Sequence, residues 1–192
     1  MTENVLNQRG TQVRTRIAIK IFIAAGIIAL AVLLPQIVHA AFGAEGGARW
    51  LPMYLPVLLG ACLLGWRWGL GIGIFSPLLS FIITSAAGSA MPIAARLPYM
   101  MLELGAFALV SGAFSGKIFA NAWMAFPAVL LAQVCGRAVF FVFAVIFQNI
   151  LPLAPMQVWS QILSGLPGLL LQAVLVPVLV IVLRAVLLRE KQ

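Results

Sequence analysis

Glu103 and Arg137 lie deep inside long apolar runs of a chain that is 64% hydrophobic and only 8% charged. Leaving a carboxylate or guanidinium at membrane depth costs roughly 2.5–3.5 kcal/mol even on lenient insertion scales, so such groups are kept for a partner or a function. At about 1.5 Å of rise per residue, Glu103 falls roughly 8 Å and Arg137 roughly 15 Å below the same face of two consecutive antiparallel helices. An ion pair or shared polar network is therefore within reach. Such a pair either braces helix packing or forms the floor of a cavity, where each member can turn to a ligand. Gln133, four residues before Arg137 and on the same helical face, extends the polar strip.

Catalysis finds little support beyond that pair. General acid–base chemistry needs two positioned groups of suitable pKa, and the chain offers no Asp, four Glu and one His. The stretch from Gly112 to Lys117 is similar to a phosphate loop, but it lacks a spacer residue and the Ser or Thr after Lys that would hold magnesium. Ser89 and Ser115 are remote from His39, which argues against an intramembrane serine protease. Cys62 and Cys135 stand singly in apolar stretches with no metal-ligand spacing, as packing residues do. His39 reads as an interfacial hydrogen-bonding group rather than a metal ligand. No metal, and no cofactor held by this chain, is expected.

The elements that position the pair are membrane helices. A mean hydropathy of +1.13 cannot describe a water-soluble surface. The net charge of +8 suits the anionic cytoplasmic leaflet better than nucleic acid, because the basic residues gather at loop ends. A hydrocarbon core takes about 20 residues of helix, and six apolar stretches fit: 17–37, 52–65, 69–87, 98–116, 122–147 and 157–187. The expected fold is an all-α integral membrane domain spanning 1–192. It is a six-transmembrane-helix bundle over 17–187 with short tails at 1–16 and 188–192. With the N-terminus inside, nine basic residues (Arg9, Arg14, Arg16, Lys20, Arg67, Lys117, Arg184, Arg189 and Lys191) face the cytoplasm against Arg49 and Arg96 outside. The positive-inside rule then places both termini in the cytoplasm. Loops 38–51, 87–97 and 148–156 face outward.

Polar and aromatic residues concentrate at that outer end. Leu51-Pro52, Leu97-Pro98 and Leu151-Pro152 mark helix starts, because proline lacks only an N–H that the first turn leaves unpaired. Those helix ends carry partial positive charge toward one place. Tyr54, Tyr99 and Trp159 are candidates to enclose a small planar solute, with His39, Arg96, Glu103, Arg137 and Asn149 bonding its polar edge. The alternatives are a small membrane enzyme acting on a lipid or isoprenoid through Glu103, Arg137 and His39, and a scaffold or channel whose polar residues only brace helices.

Small residues recur at a spacing of four: Ala25-xxx-Ala29, Gly65-xxx-Gly69-xxx-Gly73 and Gly112-xxx-Gly116. They form grooves in which a second helix, internal or from a partner, can approach closely. The Ala25-xxx-Ala29 step, the run from Leu51 to Val57, Phe75-Ser-Pro-Leu-Leu-Ser80 and Leu97-Pro-Tyr-Met-Met-Leu-Glu-Leu104 together resemble the substrate-binding S components of energy-coupling-factor transporters. The resemblance covers nearly the whole chain. It implies a bacterial or archaeal cell-membrane protein that captures a vitamin-like micronutrient from outside. It further implies a transmembrane coupling protein contacted through Ala25 and Ala29, and two cytoplasmic ATPases that use the ATP. The ligand in that family lies near the outer face, among helices four to six and the first and third outward loops.

Overall fold

The computed structural model describes residues 2–88, 90–147 and 155–189, and the regular structure among them is entirely helical. In lipid each segment must close its own backbone hydrogen bonds, and a helix does so without help from water. The first helix, α1 (Thr2–Trp50), runs through the stretch expected to be a loop at 38–51. Ala40, Ala41 and Ala48 are strong helix formers, and the one interruption is Gly43 at φ 68°. The chain then turns through Leu51, which takes a positive φ of 48°, into α2 (Tyr54–Leu64). Only Gly65, at φ 87°, separates α2 from α3 (Trp66–Ala86). The expected break between the stretches 52–65 and 69–87 is thus one residue long.

As the Leu97-Pro98 pair suggests, α4 (Leu97–Ala113) begins with proline in its first turn. A short α5 (Ser115–Ala120) and a 3₁₀ turn lead into α6 (Ala125–Phe147), and α7 (Pro155–Arg189) follows. Leu151-Pro152 and most of the 148–156 loop lie outside the described residues. Where the sequence suggests six spans, five stretches among the described residues are long and apolar enough to cross a membrane: Ile17–Gly43, Glu45–Leu64, Trp66–Ala86, Ala122–Phe147 and Trp159–Ala185. The exception is α4, which has 17 residues and carries Glu103.

That short helix is the centre of the molecule. Its Leu104, Phe107 and Ala108 are wholly buried and belong to one core with Val57, Leu58 and Ala61 of α2, Ile72 of α3, and Val129 and Ala132 of α6. Close approach depends on small residues. A Cβ on Gly73 would stand 2.7 Å from the Leu104 carbonyl oxygen, and one on Gly136 would collide with the Phe107 ring. Two of the small-residue steps are therefore consumed by internal packing: Gly73 and Gly112 between α3 and α4, and Gly69 chiefly against Ala61 of α2. The outside is apolar: Phe22 is 84% and Phe119 80% exposed, as lipid contact permits.

Buried amides tie α7 to its neighbours. Gln133 donates through Nε2 to the Leu169 carbonyl (2.9 Å), so it is a strut between α6 and α7 rather than part of the polar strip. Gln172 donates to the carbonyls of Trp50 (3.1 Å) and Leu51 (2.9 Å). The Leu51 carbonyl also accepts from the Tyr54 N–H at 3.0 Å, so the turn's carbonyls are paired inside the protein, where lipid could not satisfy them.

Candidate functional site

The turn that follows α1 sets Tyr54 in the first turn of α2, while the early part of α4 presents Glu103 and the middle of α6 presents Arg137. All three converge. Tyr54 Oη donates to Glu103 Oε2 at 2.6 Å, and Arg137 Nη1 lies 2.7 Å from Glu103 Oε1. The second contact is an ion pair by distance but is out of line for a hydrogen bond. The guanidinium also sits over the Tyr54 ring, 5.3 Å from its centre. Behind it Phe107 meets Tyr54 edge to face at 5.2 Å. Glu103 is 0% exposed, so its charge is held by these partners instead of water. A buried pair of this kind forms only where geometry and extra hydrogen bonds repay the desolvation of both ions.

Above the pair lies a cavity of about 360 Å³, within the range of small-molecule sites. Tyr54, Glu103 and Arg137 contribute to its wall, with Pro35, His39, Gly47 and Ala48 of α1 on one side and Met100, Phe140 and Gln161 on another. The polar side chains are few and the lining is otherwise mostly apolar, as in sites that bind an apolar body and orient one polar edge.

The segment from Ala90 to Ile93, between α3 and α4, forms part of the same wall. It is pinned from α3. Ser80 Oγ donates to the Met91 carbonyl (2.8 Å), and Thr84 Oγ1 accepts from Met91 N–H (2.7 Å). Replacing Thr84 by the isosteric Val should leave that N–H unpaired, costing roughly 1–2 kcal/mol. Faster hydrogen exchange at the Met91 amide is the expected observation, and unchanged protection would show that Thr84 does not hold the segment.

Of the residues singled out in the sequence, His39, Tyr54, Arg96, Glu103 and Arg137 line this cavity. Tyr99 is 1% exposed and packs edge to face against Phe140 at 6.0 Å, one layer behind the wall. Trp159 is 51% exposed and rests against Phe141 at 6.5 Å, outside the cavity. Helical period explains both, since a first-turn aromatic can point to either side of its helix. Asn149 lies outside the described residues. Sequence reasoning missed Ser80, Met100, Phe140 and Gln161, whose residue types are ordinary in apolar helices and carry no signal until the helices are packed. Ala25 and Ala29 are exposed on α1, and a Cβ on Gly26 between them would meet nothing within 4 Å.

No curated protein and no solved structure matches the chain. A family model described as "ECF transporter, substrate-specific component" matches residues 20–180. Proteins of that family are transport subunits rather than enzymes, which removes the lipid-modifying alternative. With several apolar helices long enough to cross a bilayer, the chain is a multi-pass membrane protein of the plasma membrane. It belongs to the substrate-specific components of energy-coupling-factor transporters.

Proposed function

We propose that the cavity above Glu103, Arg137 and Tyr54 is the seat of a vitamin-like small solute captured at the outer face. A coupling protein and two cytoplasmic ATPases then drive uptake at the expense of ATP. The observation that carries this reading is the convergence of an ion pair and a tyrosine hydroxyl on the floor of a mostly apolar cavity. An intramembrane pair that merely braced helices would gain nothing from a cavity above it.

Several features support the orientation. The cavity gathers the starts of α2 and α4, whose partial positive charge favours electron-rich groups. Arg184 near the far end of α7 donates to the Ala120 carbonyl of α5 at 3.1 Å, which puts Arg184 and Lys117 at the opposite end from the cavity. Under the positive-inside rule that basic end is cytoplasmic. Both termini then lie inside, and α4 crosses as a sixth span of a single membrane domain. His39, Arg96, Tyr99, Trp159 and Asn149 complete the proposed ligand-binding set, Tyr99 from one layer behind the wall.

Titration of the purified protein with its solute, alongside Glu103→Gln and Arg137→Met, tests the reading. Weaker binding in at least one folded variant is expected, and unchanged affinity in both would reject it.

The open Ala25/Ala29 face is the proposed contact for the coupling protein. Ala25→Leu with Ala29→Leu should weaken assembly with the coupling module about tenfold or more, as overpacking by roughly 1–3 kcal/mol implies. Solute binding should stay intact. Co-purification together with a binding titration separates the two effects, and unimpaired assembly would place the contact elsewhere.

A further inference from the structure

Charge along the cavity wall does not balance. Glu103 and Arg137 cancel as an ion pair at 2.7 Å, and the Tyr54 hydroxyl engages the other Glu103 oxygen. Arg96 lines the cavity as well, and its guanidinium has no ion-pair or hydrogen-bond partner among the described residues. It closes the 3₁₀ turn Ala94–Arg96 that leads into α4, so its backbone stands about 10 Å nearer the helix start than that of Glu103 by the helical rise. The residue is half-buried there. No carboxylate answers it: Glu45, the other one among the described side chains, is exposed on α1 and outside the lining.

The backbone adds to the imbalance. Helix α2 begins at the cavity beside Met53 and Tyr54, and α4 begins there beside Arg96. Neither has a side-chain cap or an acidic residue in its first turn, so no side chain offsets the partial positive charge of either end. His39 brings no negative charge in either protonation state. A concave, mostly apolar wall that carries charge of one sign concentrates ions of the other. An ammonium-bearing solute would meet Arg96 and both helix ends, with the one carboxylate already engaged. An anion would meet a free guanidinium.

We propose that the solute carries a net negative charge and that Arg96 receives its anionic group, a carboxylate or a phosphate, while its apolar body lies against Met53, Met100 and Phe140. This assignment rests on the cavity being the solute site. It makes Arg96 the residue that selects for charge, and because Arg96 is half-exposed at the wall, the seat needs no rearrangement of the buried pair.

The test uses the full chain in nanodiscs of zwitterionic lipid. The protein is equilibrated with a defined mixture of small aromatic and alkyl bodies, each supplied as the carboxylate, phosphate, primary amide and ammonium, and the retained members are quantified by mass spectrometry. At least one anion class should be retained about tenfold or more over the amides of the same body, and the class retained names the group. Arg96→Gln should lower that ratio about tenfold, because the charge-assisted bond is lost. Thermal unfolding should stay that of the parent, since no ion pair or hydrogen bond within the described protein goes with the guanidinium. Arg96→Lys should keep most of the preference. Arg49→Gln is the control: Arg49 is exposed near the end of α1 but outside the lining, and its loss should leave the ratio unchanged.

Preference for amide or ammonium, retention of no member, an anion preference unchanged in Arg96→Gln, or one lowered equally in Arg49→Gln would each overturn the proposal. Ala48→Trp tells that failure apart from failure of the cavity reading. Ala48 is exposed on α1 and lines the cavity, so bulk there narrows the cavity without entering the core. Retention of a neutral or cationic class that this variant abolishes removes the anion assignment and leaves the cavity as the site. Retention indifferent to it removes both.

Discussion

Arg137→Met should destabilise the folded protein by about 3–5 kcal/mol, because it strands a buried carboxylate whose cation has gone. Glu103 is 0% exposed and its remaining partner is the Tyr54 hydroxyl, so no water reaches it to take the place of the guanidinium. The double substitution Glu103→Gln with Arg137→Met removes both charges at nearly constant volume. It should recover much of the loss, since replacing a buried pair with neutral groups is often close to neutral. Solute binding should not recover with it. Thermal unfolding of the single and double variants in one detergent measures the difference. A single variant as stable as the parent would mean that Glu103 finds another partner, and the site would then have to be redrawn.

The second large effect concerns packing. Gly73→Ala should cost about 3 kcal/mol, the upper end of ordinary overpacking, because the added Cβ would meet backbone on three sides. It would stand 2.7 Å from the Leu104 oxygen, 2.9 Å from the Leu104 carbonyl carbon and 3.2 Å from the Gly105 nitrogen. Backbone cannot swing aside as a side-chain end can, so α3 and α4 would have to separate, and Glu103 one residue earlier would shift with them. Gly71→Ala on the same helix is the control. Its Cβ would meet nothing within 4 Å, and trading glycine for alanine in a helix gains roughly 0.5–1 kcal/mol. Unfolding midpoints that move in opposite directions for the two variants are expected. Equal shifts would show that close approach at Gly73 does not limit packing.

Much of this arrangement was legible in the sequence, for identifiable reasons. Helix positions follow from runs of apolar residues, which the bilayer demands and which few local exceptions disturb. The pairing of Glu103 with Arg137 followed from cost: two ionised groups within the apolar runs of consecutive helices have few other ways to be satisfied. The helical course of 38–50 was hidden because polar and small residues there read as a loop, although alanine favours helix. Gln133 was misplaced because helical period gives its face but not its partner, which proved to be the Leu169 carbonyl of α7. The Ser80 and Thr84 clamp on Met91 was invisible for a similar reason. Hydroxyls on an apolar helix usually bond back to their own turn, as Thr84 also does to the Ser80 carbonyl at 2.6 Å. The side on which Tyr99 and Trp159 fall depends on helix rotation, which composition does not encode.

The account as a whole depends on the ion pair being the floor of a solute seat. Native mass spectrometry of the gently purified parent, beside the charge-neutral Glu103→Gln/Arg137→Met variant, tests this most directly. A small non-lipid adduct that collisional activation releases from the parent, and that the variant lacks, is the predicted result. An adduct held equally by both proteins, or lipid alone on both, would contradict it.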